Sequence, residues 1–298
     1  MLSTAPALSQ VEIPGVAPWR RGKVRSVYEA GPRHLIIVAS DRLSAYDHVL
    51  PTPIANKGRV LTELSMFWFR TLESAAPHHF VSGDPKQYPA PFDAHAGLLE
   101  GRSMLVRRAE RIDIECVVRG YLTGSGWRGY QKDGTVCGIR LSAGLGDGSR
   151  LDPAIFTPAT KEDAGHDMNI SFERMVEIVG RENADALRAR SLAIYEEARR
   201  HAWGRGLVLA DTKFEFGRVD GALTLIDEVL SPDSSRYWDR AEYEAGRLLS
   251  FDKQVVRDWL DRSGWNHEPP VPALPEEVVR RTSERYREAM SRLTGGPR

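Results

Sequence analysis

Residues 207–229 constrain the fold more than any other stretch of the chain. A short apolar run, 207–210, follows Gly206, and then the character alternates. Asp211, Lys213 and Glu215 fall on one side, Thr212, Phe214 and Phe216 on the other. Period two marks a β-strand with one wet or liganded face. Residues 217–221 read as a turn and 222–229 as the returning strand, which brings Asp227 back beside the others.

Loop length sets the register. With a three-residue loop, Val219-Asp220-Gly221, Gly221 takes the positive φ of a G1 bulge and Arg218 pairs with Ala222. Lys213 then faces Asp227, and Glu215 lies diagonal to Asp227, roughly 7–8 Å away at Cα. This register gathers Asp211, Lys213, Glu215 and Asp227 into one cluster that a hard cation can bridge. A two-residue Asp220-Gly221 turn would put Glu215 and Asp227 on opposite faces. The alternative to a metal is an exposed hairpin with solvated charges. Carboxylates crowded on one face cost stability without a cation, which favours Glu215 and Asp227 as metal ligands. Beyond the hairpin, Ser231 to Ser235 with Pro232 form a turn, and the planar fork of Arg236 suits a carboxylate or phosphate.

The runs DTKFEFG at 211–217 and DEVLSPDSSRYW at 227–238 resemble the SAICAR synthetases of purine biosynthesis. Similar runs occur in the family's order over roughly residues 20 to 260. Gly22-Lys23-Val24-Arg25 precedes an apolar strand at 34–39 and can set amides and cations around a polyphosphate. It is not a Walker A motif; the resemblance implies nucleotide binding. SDRLSAYD at 40–47 and NKG at 56–58 also match the family, implying that Asp41 and Lys57 face substrate. A helix is expected at 60–72, with Leu61, Leu64, Trp68 and Leu72 on its buried face.

A Pro/Gly/Asp-rich loop spans 82–101, and strands at 104–106 and 112–119 flank residues 107–110. There the chain divides into 1–108 and 109–298. By resemblance, the junction is a hinge meeting adenine, with Arg108, Glu110 and Glu115 at the nucleotide. The second strong match runs from Glu115 to Trp127. Its G-x-G-x-x-G at 124–129 is not read as a dinucleotide motif, because 130–134 does not continue as a helix. The small residues are expected to admit a phosphate to the backbone, helped by Arg119 and Ser125. Residues 144–167 read as a long functional loop. The resemblance implies that Lys161, Asp167, Asn169 and Asp233 meet substrate; His166 is a candidate base, but a structural histidine is the preferred reading. The resemblance also makes Lys213, Asp211 and Arg236 catalytic. Further helices are expected at 171–180, 183–203, 252–261 and 275–293, the last with Pro275 in its first turn.

The resemblance implies an α+β, two-lobed fold, with a kinase N-lobe-like antiparallel sheet, an ATP-grasp-like lobe and C-terminal helices. It implies ATP and Mg²⁺ as cofactors, carboxyaminoimidazole ribonucleotide and L-aspartate as substrates, and a monomer or weak homodimer. Lys+Arg and Asp+Glu both number 41, so charge gives no case for nucleic acid or membrane. The two cysteines lack metal-ligand spacing. The first residues lack a signal peptide's basic and apolar regions, and no apolar run approaches the ~20 residues of a membrane span. A cytoplasmic location is expected. Glu215-Phe216-Gly217 echoes the D-F-G of kinases, the nearest rival, but no H-R-D loop accompanies it. A non-catalytic nucleotide sensor would need no paired metal carboxylates.

Overall fold

A computed structural model describes residues 6–161 and 168–296, so His166 and Asp167 lie outside the described residues. The first part of the chain makes β1 (Arg20–Arg21), β2 (Arg25–Glu29) and β3 (His34–Ala39). A small hairpin, β4 (Ser44–Ala45) and β5 (His48–Val49), leads to helix α1 (Lys57–Thr71). After β6 (Phe80–Ser82) and the short helix α2 (Ala96–Leu99) comes β7 (Ser103–Arg107). The expected 82–101 loop thus contains short helical turns. These strands form an antiparallel sheet ordered β1-β2-β3-β7-β6. The expected α1 stripe of Leu61, Leu64, Trp68 and Leu72 is buried.

A second antiparallel sheet begins at β8 (Glu110–Arg111) and β9 (Ile114–Tyr121). Next come α3 (Gly124–Asp133), the small hairpin β10 (Thr135–Val136) and β11 (Ile139–Arg140), then β12 (Arg150–Phe156) and β13 (Ala159–Thr160). Helices α4 (Phe172–Val179) and α5 (Arg181–Gly204) precede the long strand β14 (Leu207–Val219) and its partners β15 (Ala222–Ile226) and β16 (Ser235–Asp239). The chain finishes with α6 (Arg240–Glu244), α7 (Gln254–Arg262) and α8 (Glu276–Thr294), where Pro275 is the N-cap rather than a first-turn residue. Among the described residues no helix is long and apolar enough to cross a membrane.

Strand β14 is the spine, pairing with β8, β9, β15 and β16. Helix α5 covers it, burying Leu187, Ile194, Tyr195, Ala198 and Ala202. Each large apolar side chain so buried contributes about 1.5–3 kcal/mol. Tyr195 donates its hydroxyl to the Leu209 carbonyl at 2.7 Å. A Cβ on Gly120 would sit 1.8 Å from that hydroxyl, so only glycine fits the neighbouring strand there. One continuous core joins Ile37 and Met104 of the first sheet to Phe214, Phe216 and Leu225 of the second.

Three expectations are corrected. The hairpin turn has two residues, Asp220 (φ 51°) and Gly221 (φ 80°), with Val219 paired to Ala222 and Glu215 to Ile226. Positive φ at both positions matches the twist of a tight hairpin, which is why Asp-Gly wins over the bulged loop. That register alone would send Asp227 to the opposite face. Strand β15 stops at Ile226, however, and Asp227 takes φ 64°. This left-handed residue breaks the alternation and lets Asp227 line the same cavity as Glu215.

Secondly, residues 124–133 are helical, closed by Gly134 at φ 74°. Trp127 and Tyr130 stack at 5.8 Å and pack against Leu122, Val136 and Leu151, offsetting the helix cost of the glycines. The dinucleotide motif is still absent, because β12 returns antiparallel to β9, not as a parallel crossover. Thirdly, the expected 144–167 loop holds strands β12 and β13. Pro153 lies in β12 where its register with β9 shifts, a place where a missing N–H is tolerated.

Candidate active site

A cavity of about 980 Å³ opens between the sheets. Val27, Leu35, Ile37 and Val106 give it an apolar slot suited to a flat ring. Beside the slot lie Gly22, Lys23, Val24 and Arg25, in a turn closed by the Gly22 N–H donating to the Arg25 carbonyl at 2.8 Å. Arg107, Arg108 and Ala109 also line it; Arg108 pairs with Glu29 and lies 5.1 Å above the Trp19 ring. Lys161, Lys213, Glu215, Asp227 and Glu228 come from the second sheet and its flanking loops.

The charges on this wall are interlocked. Lys161 Nζ bridges Glu215 at 2.7 Å and Glu115 at 3.0 Å, and Lys213 Nζ reaches Glu115 at 2.5 Å. Arg25 grips Asp227 with both arms, at 2.5 and 2.8 Å, and Lys23 holds Asp47 at 2.5 Å. Burial, followed by the charge of Asp227, pushes the Glu215 carboxyl above the ordinary range. Burial acts the same way on Asp227, but Arg25 and then Lys161 outweigh it and hold that carboxyl low. A buried carboxyl pushed up by a second carboxylate gains by taking a divalent cation.

Among the described residues no group of three or more His, Cys, Asp and Glu forms a cation cage. Two carboxylates beside an open cavity do fit a hard, partly hydrated ion such as Mg²⁺, whose other positions go to water and phosphate oxygens. Asp211 does not join this pair, contrary to the expected cluster. Its Oδ2 accepts from Arg119 at 3.0 Å and also from Arg236. Arg119 donates onward to Ser125 at 2.9 Å and Thr157 at 3.0 Å. A Cβ on Gly124 would lie 2.5 Å from Arg236 Nη2, so glycine (φ 57°) keeps that side of the fork clear. The two guanidiniums share this carboxylate, Asp252 and Asp147 also act on Arg236, and both forks end beside glycines of the first turn of α3. Lys213, two residues along β14, lies between the two groups.

Asp233 lines the cavity but is tied into a buried knot. It accepts from Lys57 at 2.6 Å, Lys253 at 3.2 Å and the Tyr286 hydroxyl at 2.9 Å. Burial alone would raise its pKa; Lys253 and Lys57 outweigh that and hold it well below the usual carboxylate range. Lys57, expected to face substrate, instead has a fully buried ammonium paired with Asp233.

Two other expected contacts are corrected, at Asp41 and Glu110. Asp41 is 1% exposed and takes the N–H groups of Leu8 and Gly58 at 2.8 and 2.9 Å, so it fastens loops and cannot reach a ligand. Glu110 is exposed on β8, outside the cavity lining, because the two-residue strand turns its side chain to solvent. Asn169 is exposed and bridges Ala159 through its backbone. Glu115 lies behind the cavity wall as the shared partner of both lysines.

Sequence reading missed Lys253 and His79, which line the cavity from distant segments with no local motif. The His79 ring Nε2 lies 3.2 Å from the Asp227 carbonyl and supports its unusual backbone. Burial lowers the His79 pKa from 6.5 to about 4. Between these values the unfolded chain binds the extra proton, so stability is full above pH 6.5 and falls as pH drops towards 4. The limit is about 3 kcal/mol. Urea midpoints at pH 7.5, 5.5 and 4.5 should show a smaller acid loss in His79→Gln than in the native chain. Equal losses would remove His79 as the cause.

The SAICAR synthetase family model matches residues 18–272. The phosphoribosylaminoimidazole-succinocarboxamide synthase of Desulfosudis oleivorans is 53% identical over 286 residues, covering 95% of this chain and 97% of that one. Its namesake from Thermodesulfovibrio yellowstonii is 48% identical over 286 residues, with 96% and 98% covered. Among solved structures, the SAICAR synthase of Saccharomyces cerevisiae complexed with SAICAR superposes with a TM-score of 0.86 at 37% identity, covering 98% of this chain and 99% of that one.

Proposed function

The chain belongs to the SAICAR synthetase family, and we propose that it joins L-aspartate to the carboxylate of carboxyaminoimidazole ribonucleotide at the expense of ATP. The products are the succinocarboxamide, ADP and phosphate. One observation carries the assignment to this cavity. A basic turn, an apolar slot and the Glu215–Asp227 pair converge on one space, and Lys213 in its lining stands two residues along β14 from the Asp211 that holds Arg119 and Arg236. A division into 1–108 and 109–298 belongs to the same proposal, the first part bringing the phosphate turn and the second the metal and substrate groups.

A carboxylate resists amide formation because oxide is a poor leaving group. Attack of a substrate carboxylate oxygen on the γ-phosphorus expels ADP and gives an acyl phosphate. The aspartate amine then attacks the acyl carbon, phosphate departs and the amine gives up its proton. The protein positions three anionic reactants and offsets their charge. Val27, Leu35, Ile37 and Val106 hold the adenine, and Gly22, Lys23 and Val24 hold the phosphates, with Arg25. Glu215 and Asp227 would hold Mg²⁺, which supplies Lewis-acid neutralisation of phosphate oxygens when bound. Lys161, kept charged by Glu215 and Glu115, and Lys213, kept charged by Glu115, face the transferring group. Arg119, Ser125 and Arg236 take the substrate anions, and Asp211 orients both guanidiniums.

The test is ADP release with each substrate omitted in turn. Sustained turnover should require ribonucleotide, aspartate and ATP together. ADP release that continues undiminished without aspartate, with a phosphorylated product accumulating, would identify a kinase instead.

A further inference from the structure

Arg25 stands on β2 and Asp227 just beyond β15, 202 residues later. Their contact is a two-armed fork, Nη1 to Oδ1 at 2.5 Å and Nη2 to Oδ2 at 2.8 Å, with Glu228 a further 3.4 Å partner for the same guanidinium. Both oxygens of Asp227 are therefore occupied by a protein cation, while Lys161 sits on Glu215. The backbone of Asp227 is fixed by its left-handed conformation and by His79. Room for a metal thus has to come from the long arginine side chain, not from the aspartate.

We propose that Arg25 is a built-in stand-in cation that makes metal binding at Asp227 depend on nucleotide. The inference rests on Glu215 and Asp227 being the metal site. A divalent ion arriving alone must strip the guanidinium from Asp227. That leaves a largely buried arginine without its main partner and next to a like charge. An ion arriving with a triphosphate brings the arginine a new partner, because phosphate oxygens accept the same two-armed fork. Ion and nucleotide then bind together, and the coupling is reciprocal. An exposed metal site that fills without substrate is avoided.

The probe is Mn²⁺, titrated by paramagnetic resonance into the full chain without nucleotide. Arg25→Gln, which removes the stand-in charge, should bind Mn²⁺ at least tenfold more tightly than the native protein. Arg25→Lys, a cation without the fork, should fall between. Adding Asp227→Asn to Arg25→Gln should abolish the gain. The tightening of an ATP analogue by Mg²⁺ should shrink in Arg25→Gln by the same factor. If Arg25→Gln binds Mn²⁺ no better than the native chain while Asp227→Asn weakens it, the metal site stands and the stand-in role is wrong. If Asp227→Asn changes Mn²⁺ binding in neither background, the site assignment itself fails.

Discussion

Glu215→Gln should lower turnover on the order of 10³-fold or more, a loss of about 4 kcal/mol of transition-state stabilisation, without weakening the fold. Asp227→Asn should cost activity comparably. The cause is the same in both: one of two carboxylates for a cation that neutralises transferring phosphate is gone. Their stabilities should differ. Glu215 is buried beside Asp227 and its carboxyl is pushed up, so its surroundings disfavour the charge. A neutral amide of the same shape should leave the melting temperature unchanged or higher, the usual sign of a site that trades stability for function. Asp227 is held low by Arg25, so Asp227→Asn strands a buried guanidinium and should lower it. Near-normal turnover of either variant at low Mg²⁺ would move the metal elsewhere.

Arg236→Lys should cut kcat/KM for ribonucleotide or aspartate while the affinity for ATP stays nearly constant. Losing one partner of a buried, hydrogen-bonded ion pair costs about 2–5 kcal/mol, at least roughly 30-fold in rate. Lysine keeps the charge, but it cannot hold Asp211 with one nitrogen and offer a second to a substrate anion. Gly124 leaves that second arm uncovered, so Gly124→Ala provides a check with Arg236 intact. If ATP affinity falls instead and the other substrates are unaffected, Arg236 serves the nucleotide or the scaffold.

Strand β14 was legible because its alternation is a local property. The buried face carries Thr212, Phe214 and Phe216, the other Lys213 and Glu215. The meeting of Glu215 with Asp227 was expected from a bulged register that the chain does not use. It arises from one left-handed residue supported by His79, a tertiary effect with no signature in the hairpin itself. Helix α3 was hidden for the opposite reason. Its three glycines argue against a helix locally, and packing of Trp127 and Tyr130 overrides them. The basic turn at 22–25 could be placed by its composition, but not its pairing with carboxylates over 200 residues away. Lys57 and Asp41 stood out only through the family resemblance. Which of them touched ligand and which held the frame depended on partners, such as Tyr286 and Leu8, that no motif connects to them.

The knot around Asp233 has a consequence for biosynthesis. Its cationic partners are Lys57, from α1, and Lys253, just before α7, and its hydroxyl partner Tyr286 sits in the final helix. A chain emerging from the ribosome presents Lys57 and then Asp233 well before it presents residues 253 and 286. Domains generally take shape from the N-terminal end during synthesis, so both sheets can form while this carboxylate still lacks two of its three partners. The wall of the cavity next to β16 is therefore the last part to be sealed. A nascent chain halted before residue 286, or a mature one trimmed there by a protease, would lack the hydroxyl partner of Asp233 and the core contacts of Tyr286, Ala289 and Leu293.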